Sequence, residues 1–334
     1  MKYEEQRRLI IHQLREFSGD RFESLALEVF RFQATYNALY ANYLSLLGIE
    51  APSVQTPDAI PFLPIQFFKN YTVKTGEWQA ETIFTSSGTT GAITSSHPVH
   101  QLDFYKQNTV KGFQSFYGNP AGYCVLALLP SYLERSGSSL VCMAGHFISL
   151  SKHPQSGFFL DNLEALAEVL QAMKAAGAPV LLLGVSFALL DLAERFDLQL
   201  ENAIVMETGG MKGKRRELTR EELHMALKTA FHLTAIHSEY GMTELFSQAY
   251  SKGNGQFYPA PTLKVFAREV TDPLAQQGFG KTGVLNMMDL ANFDTCSFIA
   301  TDDLGRVFPD GSFEVLGRLD NSDIRGCNLM AGAD

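Results

Sequence analysis

The chain has no apolar run approaching the ~18 residues that cross a bilayer. Its opening residues, Met1 to Arg8, lead into an amphipathic pattern with no apolar targeting stretch or cleavage site. A cytoplasmic protein without a membrane span is expected. The four cysteines, Cys124, Cys142, Cys296 and Cys327, are widely spaced with no CxxC pair, which argues against a disulfide frame or a zinc site. Basic residues are outnumbered: 27 Lys and Arg face 36 Asp and Glu, a net charge of −9, and no basic stripe stands out. Nucleic acid is therefore not an expected partner, and the one dense basic run, Lys212 to Arg216, reads as a solvated loop before a helix, with phosphate or partner contact as the alternative. There is no internal repeat and no low-complexity tract. With 46% hydrophobic and 19% charged residues, the sequence reads as globular rather than disordered.

Residues 1–48 read as helical, with Leu25, Val29, Phe32, Tyr36, Leu39, Tyr43 and Leu47 at threes and fours. The proline-rich segment 49–80 reads as an extended connector. From about 120 to 240 strands and helices alternate. Strands are expected at 123–129, 180–183, 203–206 and 233–236. Helices are expected at 139–150, from Asp161 to Met173, at 186–196, and from a Thr219/Glu222 capping box to Phe231. Such alternation implies a doubly wound, mostly parallel α/β sheet. After about 255 the helices cease, and short runs at 262–268, 283–288, 297–300 and 312–315 imply a small antiparallel β subdomain, a sheet or barrel. The expected division is a large domain over 1–316 (1–80 helical, 81–254 α/β, 255–316 β-rich), followed by a tail over 317–334.

The densest signal is Thr85-Ser86-Ser87-Gly88-Thr89-Thr90-Gly91, directly after a strand candidate at 81–84. Two glycines permit close approach of backbone to a ligand. The hydroxyls add donors for phosphate oxygens. Loops at strand ends are where α/β proteins bind ligands. This is not a Walker A loop, because no Lys follows Gly91. Three more segments follow in order: His237-Ser238-Glu239-Tyr240-Gly241-Met242-Thr243-Glu244, then Thr301-Asp302-Asp303-Leu304-Gly305-Arg306, then Gly317-Arg318-Leu319-Asp320 through Gly326.

Together these resemble the adenylate-forming superfamily of acyl-CoA synthetases, peptide-synthetase adenylation domains and firefly luciferase. The first is similar to its TSGTTG phosphate loop and the second to YGxTE. The third is similar to TGDLGR, with Asp302 in place of the Gly, and the fourth to GRxDxxIKxxG. The resemblance implies the large N-terminal domain of that superfamily, with ATP and Mg²⁺ as cofactors. Ser86, Ser87, Gly88, Thr89, Thr90 and Gly91 would hold the outer phosphates. Tyr240 would stack on adenine, approached by backbone at Gly209, Gly210, Ser238, Glu239 and Gly241. Thr243 would donate to the α-phosphate, and Glu244 would hold Mg²⁺. Asp303 would accept the ribose hydroxyls, with Arg318 steadying ribose or phosphate. Structural alternatives stay open: a core aromatic for Tyr240, a helix-start acid for Glu244, turn residues for Asp302 and Asp303, a surface ion pair for Arg318.

The departures narrow the resemblance. The lysine usual after the phosphate loop is missing, its place falling near Ser95, Ser96 and His97. His97 becomes the candidate replacement phosphate donor. The chain stops at Asp334, without the mobile C-terminal domain and its catalytic lysine. This layout is similar to the acyl-protein synthetases of the LuxE type. These activate a fatty acid with ATP, carry the acyl group on a cysteine near their C-terminus, and pass it to an acyl reductase. Cys327, close to Arg325 and Arg318, is then the acyl acceptor, since a thiolate is favoured beside cations. The expectation is a fatty-acid–protein ligase with an acyl reductase or acyltransferase as protein partner. Two rivals stay open: an acyl- or aryl-CoA ligase completed by another chain, and a non-catalytic nucleotide- or acyl-binding partner subunit.

Overall fold

The computed structural model of the chain describes residues 2–86, 94–130, 137–209 and 218–319. The N-terminal helical stretch is three helices rather than one: α1 (Tyr3–Arg15), α2 (Phe22–Tyr36) and α3 (Ala38–Leu46). Asn37 breaks the run with extended backbone, and its side chain accepts from Tyr40 N at 3.0 Å to start α3. The break also resets the buried face, so that Tyr40 and Leu44 are buried while Leu39 and Leu47 are only partly so.

Polar groups dock these helices on the rest of the chain. Arg7 makes a buried two-pronged contact with Asp294 at 2.7 and 2.8 Å. Gln33 donates to the carbonyls of Asn292 and Phe293 at 3.1 Å. At the edge of this contact Trp78 stacks on His100, centroids 4.5 Å apart and planes 6° from parallel. Lys74 lies 4.8 Å from the Trp78 ring centre.

The connector carries a two-residue strand β1 (Leu63–Pro64) and one helical turn α4 (Phe67–Asn70). A separate hairpin follows, β2 (Thr82–Thr85) and β3 (Ser96–Val99), with Phe84 opposite His97. Then come α5 (Leu102–Tyr117), β4 (Cys124–Leu128), α6 (Ser139–Leu150), β5 (Gly157–Phe159), α7 (Leu163–Ala175), β6 (Val180–Val185), α8 (Ser186–Arg195), β7 (Ala203–Thr208), α9 (Arg220–Phe231) and β8 (His237–Tyr240). The last third is β9 (Ala249–Ser251), β10 (Gln256–Pro259), β11 (Leu263–Arg268), β12 (Gly283–Asp289), β13 (Phe298–Val307) and β14 (Phe313–Arg318).

Strands β5, β4, β6, β7 and β8 run parallel in that order, as the alternation predicts. β4 and β6 are buried along their whole length. Both faces of a parallel sheet are covered, so its strands read as unbroken apolar runs. Each such Leu or Val contributes about 1.5–3 kcal/mol on burial. From β8 onward the order changes hand: β9 and β10 are antiparallel, and β10 continues into β14, β13, β12 and β11. β10 joins the two parts by giving Tyr258 and Pro259 to β9 and Gln256 and Phe257 to β14.

Two boundaries differ from the sequence pattern. The helix cap before α7 is Asn162, which accepts from Ala165 N at 2.9 Å, rather than Asp161. The strand expected at 233–236 lies at 237–240, and only Ile236 of the earlier four is buried. β8 pairs with β7 through Met206 opposite His237, so its polar-looking sequence is the one in the sheet.

Candidate active site

The hairpin β2–β3 carries the Ser/Thr/Gly loop. Ser86 N donates to the Ser95 carbonyl at 3.1 Å, and Ser95 N donates to Ser86 Oγ at 2.8 Å, which closes the loop at its base. A third tie runs from Thr85 N to the Gly137 carbonyl at 2.8 Å. Gly137 has φ +91°, and a Cβ there would meet the Ile83 carbonyl at 2.7 Å, so the position requires glycine. Ser87, Gly88, Thr89, Thr90 and Gly91 lie outside the described residues, as do Gly210 and Cys327.

His97, on β3, is not a phosphate donor. It is fully buried, and both ring nitrogens are engaged: Nδ1 with the Thr243 carbonyl at 2.8 Å and Nε2 with Thr295 Oγ1 at 2.9 Å. A carbonyl can only accept, so the proton sits on Nδ1 and the Thr295 hydroxyl donates to Nε2. Burial pushes the ring's pKa down to about 4, which keeps it neutral. Its work is to fasten the hairpin to the segment that follows β8. Thr295 is held in turn, its carbonyl accepting from Thr75 Oγ1 at 2.7 Å and Asn37 Nδ2 at 2.8 Å.

That segment, 241–248, has little regular structure of its own, and its backbone is satisfied by buried side chains. Asn292 Nδ2 donates to the Glu244 carbonyl at 2.6 Å. Asp289, wholly buried, accepts from Phe246 N and Ser247 N at 2.8 Å, from Ser247 Oγ at 2.6 Å and from Ala291 N at 3.1 Å. Asn108 Nδ2 donates to the Phe246 carbonyl at 3.0 Å. Burial nonetheless outweighs these bonds and pushes the Asp289 carboxyl up to about 6.

Glu244 stands 5% exposed in the middle of this segment, and burial holds its carboxyl above the ordinary range. A hydrogen bond from the Ser95 side chain and the positive charges of Arg318 and Lys69 work in the opposite direction. The Glu244 carboxyl is thus tied to the base of the loop through Ser95. Thr243 is half-buried beside it.

Across from Glu244, Tyr240 donates its hydroxyl to Asp303 Oδ2 at 2.7 Å, and Arg318 Nε donates to Asp303 Oδ1 at 3.2 Å. Asp303 and Arg318 are direct partners on β13 and β14. The Tyr240 ring packs edge-on against Phe257 and Phe313, with centroids 5.9 and 5.4 Å away. Neighbouring Asp302 accepts from Gln66 Nε2 at 2.8 Å on both oxygens.

On the sheet side, Gly209 (φ +67°) accepts from Ser186 Oγ at 2.6 Å. Ser238 is buried with its hydroxyl 3.3 Å from His224 Nε2. Glu239 accepts from Thr208 Oγ1 at 2.6 Å, and burial pushes its carboxyl up to about 7, with nearby Glu207 adding to the rise. A Cβ on Gly241 would meet the Glu239 carboxylate, which would have to shift to admit it.

The structure therefore links Ser86 to Ser95 and Ser95 to Glu244, and joins Tyr240, Asp303 and Arg318 in a second cluster, with Gly209, Ser238, Glu239 and Gly241 at the neighbouring ends of β7 and β8. Asp289, Asn292 and Gln66 were not anticipated, nor was the contact of Ser95 with Glu244. Ser95 alone had a signal, because it falls where the loop must close.

The three described cysteines are poor nucleophiles. Cys124 and Cys296 are buried and Cys142 is half-buried, and burial raises all three thiols, Cys296 to about 12.

The donor set suits a nucleotide with a hard cation. Glu244 is a buried carboxylate with a single side-chain hydrogen bond donor, and a cation would offset its burial. Among the described residues no group of three or more His, Cys, Asp or Glu could hold a metal. One carboxylate completed by phosphates and water is a common Mg²⁺ arrangement.

No protein-family model matches the chain, and no curated protein sequence matches it. Solved structures do. ATP-bound MatB from Rhodopseudomonas palustris superposes with a TM-score of 0.52 at 15% identity, over 72% of this chain and 49% of that one. The 2-hydroxyisobutyryl-CoA ligase in its postadenylation state with 2-HIB-AMP gives a TM-score of 0.65 at 10% identity, over 89% of this chain and 68% of that one. The same ligase in the thioesterification state, with 2-HIB-AMP and CoA, gives 0.62 at 12% identity, over 99% and 74%. The chain has the fold of the large N-terminal domain of such adenylate-forming enzymes, and it spans about half the length of the MatB structure.

Proposed function

We propose that the chain is an AMP-forming ligase that activates a carboxylic acid with ATP and transfers the acyl group to a protein thiol. The carboxylate oxygen attacks the α-phosphorus. The bond to the β-phosphate bridging oxygen breaks, and pyrophosphate leaves. Glu244 would hold Mg²⁺, which lends positive charge to the phosphate oxygens. Thr243 and the loop from Ser86 to Gly91 donate hydrogen bonds to phosphate. Such positioned charge and donors supply much of the rate in phosphoryl chemistry. Tyr240 flanks the adenine, and Asp303 with Arg318 addresses the ribose. In the second step the Cys327 thiolate attacks the carbonyl carbon of the acyl-AMP. The anhydride C–O bond breaks, AMP leaves, and a thioester remains. A fatty acid is the proposed substrate class, with an acyl reductase or acyltransferase as the onward partner.

What carries this reading is the coupling of the two central segments: the hairpin bearing the loop is fastened to the Thr243 carbonyl by His97 and to Glu244 by Ser95. A mere turn would have no reason to be tied to a buried carboxylate. The test is carboxylate-dependent ATP–pyrophosphate exchange over a panel from acetate to palmitate with aryl acids. Exchange with one class of acid is expected. ATP binding without exchange for any acid would sink the catalytic reading in favour of a nucleotide-binding partner subunit. Cys327→Ser should keep exchange and lose thioester labelling. Loss of both would count against the two-step scheme. The CoA-bound state of one structural neighbour keeps a second reading, an acyl- or aryl-CoA ligase completed by another protein. CoA thioester as the product would favour it.

A further inference from the structure

The large sheet has two ends, and they are finished differently. β5, at one end, is three residues long and offers little edge. β11, at the other, has six residues and pairs with β12 on one side only. In an antiparallel pair, alternate residues turn their backbone N–H and C=O away from the partner strand. Thr262, just before β11, accepts from Leu290 N at 2.9 Å, which sets the even-numbered residues toward β12 and the odd-numbered ones outward. The outward groups are taken at both ends of the strand. Leu263 N donates to the Ala260 carbonyl at 2.8 Å, and the Ala267 carbonyl accepts from Gln277 N at 2.8 Å. Between them, the Leu263 carbonyl, both backbone groups of Val265 and the Ala267 N–H have no hydrogen-bond partner among the described residues.

Unpaired main-chain groups along an edge are a template for another strand. Here they lie on the wall of a cleft of about 1120 Å³, at or above the upper end of small-molecule sites. Phe22 on α2, Phe116 on α5, Tyr258 on β10, Phe279 and Phe308 line it from other elements. Phe279 is 67% exposed and Tyr258 41%. Three carboxylates, Glu23, Asp58 and Asp310, share the lining with a single cation, Lys264. That ammonium is already engaged, 3.8 Å from Glu23 and 4.7 Å from the Phe22 ring centre. Asp58 and Asp310 take part in no ion pair among the described residues.

These features select an occupant. Free edge groups call for a main chain, which neither a lipid nor a small apolar molecule supplies. Leu263, Val265 and Ala267 are buried on one face of β11, so an added strand extends that face with apolar side chains. Lys264 stands on the opposite face, where Glu23 meets it, so the alternate side chains of an added strand are best basic. A second copy of this chain fits poorly, because its net charge of −9 repels itself.

We propose that the open edge of β11 is a docking site for an extended segment of another protein, which joins the sheet as an added strand and alternates apolar with basic side chains. The proposal does not depend on the adenylation reading.

The test uses the full chain and a short peptide of alternating valine and lysine. One control is the same peptide N-methylated throughout, which keeps the side chains and removes the main-chain donors. The other is an alternating valine–glutamate peptide. Binding is read by calorimetry, and the edge by hydrogen exchange at the Val265 and Ala267 amides. The valine–lysine peptide should bind and slow exchange at both amides by at least about tenfold, with β6 unchanged. N-methylation should weaken binding about 10- to 100-fold, the range for a few lost main-chain hydrogen bonds. Asp58→Lys, at an exposed residue, should weaken binding about fivefold without moving the thermal midpoint. Equal binding of the N-methylated peptide would overturn strand addition and leave an apolar cleft. Equal binding of the valine–glutamate peptide would overturn the basic partner. No binding of the valine–lysine peptide, or binding that leaves both amides exchanging as before, would overturn the docking site. Protection of these amides on concentrating the chain alone would give the edge to a second copy and overturn the assignment to another protein.

Discussion

The segment 241–248 and the pair Asp303–Arg318 border the same site but are held in opposite ways. The segment is pinned from beneath by Asp289, Asn292, His97 and Asn108, all at least nine-tenths buried. Each of these bonds is expensive to lose, because a buried donor or acceptor without a partner costs about 1–3 kcal/mol. The pair is different. The Arg318 side chain is 67% exposed, and an ion pair so open to solvent contributes about 0–1 kcal/mol. One border is a fixed floor beneath Glu244, and the other is a rim that can rearrange at little cost. Under the proposed function the catalytic charge sits on the rigid border, where pre-organised groups need no reorganisation as the reaction proceeds.

The sharpest way to break this contrast is Asp289→Ala. It would strand three backbone N–H groups and a hydroxyl, and stability should fall by about 3 kcal/mol or more, read from urea midpoints. Asp289→Asn, which retains one acceptor oxygen, should lose less. A fall no greater than that of an exposed substitution would mean the floor is not rigid. Next in size, Glu244→Gln should reduce carboxylate-dependent exchange about 100-fold or more while leaving the urea midpoint level or higher. It removes a carboxylate that burial disfavours, and a large loss of stability instead would make Glu244 a structural acid.

Protonation gives a third, smaller handle. The folded pKa of His97 is depressed from 6.5 to about 4, so its stabilising contribution is whole above 6.5 and disappears as pH falls through about 4. The raised carboxyls of Glu239 and Asp289 act in the reverse sense, contributing at low pH and losing that contribution as pH rises through about 7 and about 6. The difference between wild type and His97→Gln isolates the histidine. Between pH 6.5 and 4 wild type should lose on the order of 2 kcal/mol more than the variant. Parallel pH profiles would contradict the neutral, clamped ring. The smallest stability effect belongs to Arg318→Ala, which should shift unfolding by less than about 1 kcal/mol. The same variant should weaken AMP binding measurably, in a salt-dependent way, if the rim is the ribose side of the site.

The sequence pattern reached different depths in these two borders. Tyr240, Glu244, Asp303 and Arg318 could be picked out because each sits in a short local motif. The parallel strands β4 and β6 were legible because complete burial writes an apolar run, and the start of α9 because the Thr219/Glu222 box is local in sequence. The clamps were not legible. His97 finds its partners 146 and 198 residues away, and Asp289 reaches back 42 and 43 residues. No spacing encodes such meetings, since the fold alone decides which distant polar groups become neighbours. The run at 233–236 misled because β8 places polar side chains in the sheet, where partners on β7, α9 and α5 receive them.

Trp78 is the single tryptophan of the chain. Its indole lies flat on an imidazole, under an ammonium, where the N-terminal helices meet the hairpin that bears the loop. Indole emission is sensitive to just such neighbours, so the molecule carries a built-in optical gauge of that junction. Separation of the helices from the hairpin would register as a change in fluorescence yield and colour before the central strands dissolve, with no dye attached. Nucleotide titrations followed at this one wavelength would then report whether filling the site is sensed as far away as the N-terminal helices.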